Sequence, residues 1–359
     1  MTGSSGRTLA AAAAGLLAFA ALSSEPRAQP PSARGFSLEE VVPDLQARLL
    51  GLERAQGVLF AALIEQQGTV DESAVFERMT SRLTAPAMAT VADAESDRGF
   101  AALGTRGAAV IRRALAFHRE VLAIVATVRV NERRRALDAA VERYRSRPDL
   151  ALGDLPKDMT ILYDHPYTSF VAPAPGQTEP RRQLAYPRLT GWVWSAHWYQ
   201  LAVEEPLERY EDPAERNRGL ATVTARFTRK LAAGVPPDAF PTELPLAPSI
   251  APGLVALHDR AASIIDNLNM MLDVIDEILV RPDVPDRRAA VNTVIGQFTD
   301  RKYRCVPADE WIVVALRHSI FEQGGPALGL MPGNERNAFY GGHGQHFAGR
   351  RTPPPCDGE

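Results

Sequence analysis

Residues 254–279 read LVALHDRAASIIDNLNMMLDVIDEIL. Leu254, Ala261, Ile265, Leu268, Leu272, Ile275 and Leu279 recur at helical spacing, while Asp259, Asp266, Asp273 and Glu277 take the other side, which the pattern assigns to solvent. A long amphipathic helix of this kind buries its stripe against other helices. The chain should therefore be an all-α protein.

The stretches on either side repeat that pattern. Ser37 and Glu40 form a capping pair with Phe36 and Val41 as a hydrophobic staple, and Pro43 kinks or delays the start of the helix to Asp44. Apolar positions from Leu45 to Leu63 continue that helix until Gly68. Further helices are expected over 71–83, 107–128, 131–145, 189–210, 213–233, 286–303 and 307–323. Prolines separate these blocks. Seven occur from Pro148 to Pro187 inclusive, and more lie between Val235 and Pro252.

The expected architecture is a multi-helix bundle of about eight or nine helices, with Pro-rich connectors and an irregular Gly-rich C-terminal tail. Its expected regions are an N-terminal helical region over 34–147, a Pro-rich connector over 148–187, a C-terminal helical region over 188–323 and a Gly/Pro-rich tail over 324–359.

Residues 1–28 read as a secretory signal peptide. Arg7 precedes an apolar run from Leu9 to Leu22, then small and turn-forming residues with cleavage positions after Ala28 or Ala33. The run is about 14 residues, short of the roughly 18–20 that span a bilayer, and no later run reaches that length. A soluble periplasmic or secreted product follows. In an oxidising compartment the only two cysteines, Cys305 and Cys356, should form a disulfide that ties the tail to the last helical hairpin.

Composition excludes some functions. The 359 residues carry a net charge of -3 with no basic run, which argues against nucleic acid as a partner. Lysine occurs only at 157, 230 and 302, so the basic residues are almost all arginine. Arginine chosen for bidentate anion recognition would have to cluster, and along the sequence it is scattered. There is no G-x-S-x-G elbow, P-loop, haem-attachment C-x-x-C-H, H-E-x-x-H, E-x-x-H pair or EF-hand loop. The stretch from Gly342 to Phe347 is glycine-rich but lacks the strand and helix of a phosphate-binding loop.

Two sets of residues carry chemistry. His118, His197, His258 and His318 each lie on the apolar stripe of their helix, and neutral imidazoles converging inside a bundle would bind a transition metal or haem. His343 and His346, with Met331 upstream, add a tail segment able to bind copper or zinc. Trp192, Trp194 and Trp198 surround His197 in an aromatic-poor chain, and Tyr163, His165 and Tyr167 lie in the Pro-rich connector. An aromatic cluster beside a restricted polar loop suits a small-molecule or protein partner. The leading reading is thus a non-catalytic exported binding or accessory protein. A metal or haem protein, and an enzyme without a signature, are its alternatives.

Overall fold

In the computed structural model the described residues are 37–66, 69–84, 93–158, 161, 186–233, 245–281 and 284–319. The regular secondary structure within these is helical, and one isolated antiparallel bridge joins Lys157 and Cys305. The first half contains α1 (Leu38–Val41), α2 (Pro43–Glu65), α3 (Glu72–Thr84), α4 (Ala94–Ala102), α5 (Thr105–Thr127) and α6 (Val130–Arg145). After the connector come α7 (Pro187–Ala202), α8 (Glu204–Arg209), α9 (Pro213–Ala233), α10 (Ala247–Ile250), α11 (Pro252–Leu257), α12 (Asp259–Val280), α13 (Arg287–Thr299) and α14 (Ala308–Ser319).

The count of eight or nine is corrected: the described residues hold ten helices of nine residues or more and four shorter ones. Pro43 explains one addition. Lacking an N–H, it occupies the first turn of α2, so the chain breaks at Val42 and the turn before it stands alone as α1. The other long addition is α4, which starts where the Asp93 side chain accepts the Ser96 amide. This helix packs closely on α2. A Cβ on Gly57 would stand 2.7 Å from the Ser96 carbonyl oxygen, and one on Gly99 would stand 2.8 Å from the Ala61 nitrogen. The two backbones touch because both positions lack side chains. Most of the Pro-rich connector and the whole tail lie outside the described residues.

Helix α12 runs through the core. It packs against α2, α5, α6, α10, α11 and α13, and the hydrophobic cluster around it draws residues from both sides of the connector. The assignment of Asp266, Asp273 and Glu277 to solvent is therefore overturned, because all three are buried. Enclosure on several sides leaves α12 no water-facing stripe for them to occupy. No helix among the described residues is long and apolar enough to cross a membrane.

Candidate functional site

The segment 151–158 has no regular structure of its own, yet Ala151, Leu152, Asp154 and Lys157 are each less than 5% exposed. Its buried backbone must find partners elsewhere, and neighbouring elements supply them. The Leu152 amide donates to the Tyr144 hydroxyl at 2.9 Å and the Gly153 amide to the Phe298 carbonyl at 2.9 Å. From α12, the Asn267 side-chain amide donates to the carbonyls of Gly153 (2.8 Å) and Leu155 (2.9 Å). The Val306 amide donates to the Pro156 carbonyl at 2.9 Å, and the Asp158 amide to that of Arg304 at 2.7 Å. Lys157 Nζ, in turn, donates to the Asp300 and Tyr303 carbonyls, each at 2.5 Å. Burial pulls the Lys157 ammonium down to a pKa of about 8.

Wired in place, this segment holds one buried carboxylate under three guanidiniums. Asp154 is 1% exposed and accepts a hydrogen bond from Arg260 Nε at 2.6 Å, with Arg301 Nε at 2.8 Å and Arg145 Nε at 3.5 Å in ion-pair range. The arginines come from the end of α6, the start of α12 and the turn after α13. Their side chains stay 31%, 34% and 39% exposed for Arg145, Arg260 and Arg301. Glu142, itself 65% exposed, approaches Arg145 at 3.4 Å and Arg260 at 3.6 Å. Positive charge is in excess, and about a third of each arginine side chain is open to water. Such an arrangement suits bidentate contact with an oxyanion. The arginines that are scattered in sequence are clustered in space.

The sequence-predicted histidines take separate places. His118 Nε2 lies 3.4 Å from Glu204 Oε1, and both side chains are buried. His197 Nδ1 lies 3.3 Å from Asp273 Oδ1, again with both buried. Burial pushes the Glu204 and Asp273 carboxyls up, and the facing histidine opposes that rise in each case. His258 is not on the stripe of α12 but caps it: its Nδ1 accepts the Ala261 amide at 3.1 Å. That acceptor role leaves the proton on Nε2, which donates to Asp138 at 3.1 Å. Among the described residues no group of three or more His, Cys, Asp or Glu side chains is placed to hold a metal ion. His318 lies on α14, but its side chain falls outside the described residues, as do His343 and His346.

The aromatic cluster is core. Trp192, Trp194 and Trp198 are 1%, 7% and 8% exposed, and Tyr199 packs on Phe227 with ring centroids 4.6 Å apart. Lys230 covers Trp198, its Nζ 4.9 Å from the ring centroid. These residues therefore offer no open docking face. Tyr163, His165 and Tyr167 lie outside the described residues, and so does Cys356; Cys305 is buried beside Lys157.

No family model, curated protein or solved structure matches the chain. Geometry alone carries the reading that follows.

Proposed function

We propose that this is an exported, non-catalytic helical binding protein that receives an anionic group, from a small ligand or a protein partner, at the rim formed by Arg145, Arg260 and Arg301. The observation that carries the reading is the set of three partly exposed arginine side chains gathered on the buried carboxylate of Asp154. The rim sits where the chain enters the Pro-rich connector, whose Tyr163, His165 and Tyr167 follow within about 15 residues of Asp154. Pre-organised arginines lose little freedom on binding, so the rim favours oxyanions with paired oxygens such as phosphate and carboxylate.

Arginine footprinting with phenylglyoxal tests this. Inorganic phosphate should protect Arg145, Arg260 and Arg301 from modification while exposed arginines elsewhere, such as Arg218, react unchanged. Equal reaction of the three with and without phosphate would reject the rim as a binding face.

Export rests on the leader-like segment before Ala28. N-terminal sequencing of protein recovered from the periplasm or medium should begin after Ala28 or Ala33; an intact Met1 would reject export. The same compartment favours a Cys305–Cys356 disulfide, which would close a loop of about 50 residues and contribute on the order of 4 kcal/mol in the chain-entropy model. Two titratable thiols in denatured, unreduced protein would rule it out.

A further inference from the structure

Around Asp273 the interior holds polar side chains that the fold does not satisfy. Asn269 lies one turn before Asp273 on α12, and Asp276 and Glu277 one turn after it. Helix α7 brings His197 to Asp273 at 3.3 Å, with Gln200 one turn further along α7. Helix α2 brings Gln56, whose Nε2 donates to Asp276 Oδ1 at 3.1 Å and Oδ2 at 3.2 Å. His197 and Asn269 are each 2% exposed, Asp273 is 3% and Gln200 is 6%. Buried polar atoms are nearly always paired. Here both amide atoms of Asn269, Gln200 Oε1, Asp273 Oδ2, His197 Nε2 and Trp192 Nε1 have no hydrogen-bond partner. Asn269, Gln200, Asp273 and His197 lie within a turn of the Asp273–His197 contact, and their unused atoms mark a place for something besides protein.

Its charge indicates what that is. Among the described residues Asp273 is paired with His197 and Asp276 with Gln56, and neither faces a lysine or arginine. The Asp273 and Glu277 carboxylates lie close enough to Asp276 to repel its charge. An anion is disfavoured in this field. A metal ion is disfavoured too, since no group of three or more of its usual side-chain ligands is placed to hold one among the described residues. An ammonium group carries one positive charge and three N–H donors. Three of the unused atoms are acceptor oxygens.

We propose that the interior between α2, α7 and α12 is a binding site for the ammonium group of a small primary amine, accepted by Asp273 Oδ2, Asn269 Oδ1 and Gln200 Oε1. Trp194, one turn before His197 on α7 and buried, provides aromatic surface for the carbon chain. This site is independent of the arginine rim, which lies on other residues and takes the opposite charge.

Calorimetric titration of the full chain with butylamine, its neutral isostere butanol, and potassium chloride tests the assignment. Butylamine should bind saturably at one per chain, and the two controls should not. Asn269→Leu and Gln200→Leu should each weaken butylamine binding at least tenfold while leaving the helical circular dichroism intact. Asp273→Asn should abolish binding, and the two leucine variants keep the test decisive should that variant fail to fold. Arg260→Gln should leave butylamine binding unchanged. Absence of saturable amine binding, equal binding of butanol, or unchanged affinity in both leucine variants would overturn the proposal and leave the unpaired atoms to buried water.

Discussion

Asn267 and Asn269 sit two residues apart on α12, both essentially fully buried, yet they serve opposite regions of the molecule. Asn267 donates twice to the irregular segment at the arginine rim, whereas both amide atoms of Asn269 are unpaired. At the rim, the backbone of the irregular segment is paired and net charge reaches solvent, with Asn267 Oδ1 and Arg301 Nε the buried atoms there that lack a hydrogen bond. In the interior seam, Asp273 faces His197 and Asp276 faces Gln56, while several acceptors go unused. A saturated network fixes geometry and presents charge; an unsaturated one stores an unfavourable desolvation that a ligand can relieve.

The largest effect should come from removing the carboxylate at the centre of the rim. Asp154→Ala leaves three guanidiniums without their shared counter-charge and should cost about 3–5 kcal/mol, read from the urea midpoint. A loss below about 1 kcal/mol would mean that the rim is only a surface ion-pair cluster.

The buried acids of the core should reveal themselves through pH. Burial pushes Asp266 up to about 8, opposed by hydrogen bonds from the Ala247 amide and the Trp311 indole. Its folded pKa lies above its unfolded value near 4, so between the two the folded state binds more protons. Stability from this group is complete below about pH 4 and is lost as pH rises towards 8. At about 1.4 kcal/mol per unit, urea unfolding should show a decline of about 4 kcal/mol between pH 5 and 8. Asp273, Asp276 and Glu204 are raised as well and add in the same direction. Asp266→Asn should flatten the profile; an unchanged slope would show that other groups set it. At the rim the sign reverses. The lowered pKa of Lys157 should give stability that increases as pH rises from about 8 towards 10.5.

The two asparagines give the closest comparison. Asn267→Leu strands the carbonyls of Gly153 and Leu155 and should cost about 2–3 kcal/mol, while Asn269→Leu strands nothing already paired and should change amine-free stability by no more than about 1 kcal/mol. Equal losses at both positions would erase the distinction between an asparagine whose amide nitrogen is used and one whose amide is unpaired. The smallest effect belongs to His258→Ala, which removes the cap of α12 and should cost about 1 kcal/mol.

Sequence periodicity located the helical blocks because stripes such as Leu45 to Leu63 in α2 are governed by local spacing. It missed α4, whose nine residues carry little apolar pattern and whose place depends on backbone contact through Gly57 and Gly99. It also misassigned α12. Charged residues opposite an apolar stripe look solvent-facing unless the helices that enclose them are known, and those contacts are long-range. His258 was read as a stripe residue because spacing does not distinguish the first turn of a helix from its cap. The rim was invisible for the same reason of distance: Arg260 and Asp154 are 106 residues apart, and only folding brings Arg145 and Arg301 to the same carboxylate.

The rim around Asp154 should bind oxyanions. Calorimetric titration of phenyl phosphate into the wild-type chain and into Arg260→Gln/Arg301→Gln, at low and physiological salt, tests it most directly. One saturable site per chain whose affinity falls with salt is expected, with at least tenfold weaker binding in the variant while its helical circular dichroism is retained. Identical isotherms for the two proteins, or no saturable binding to either, would contradict it.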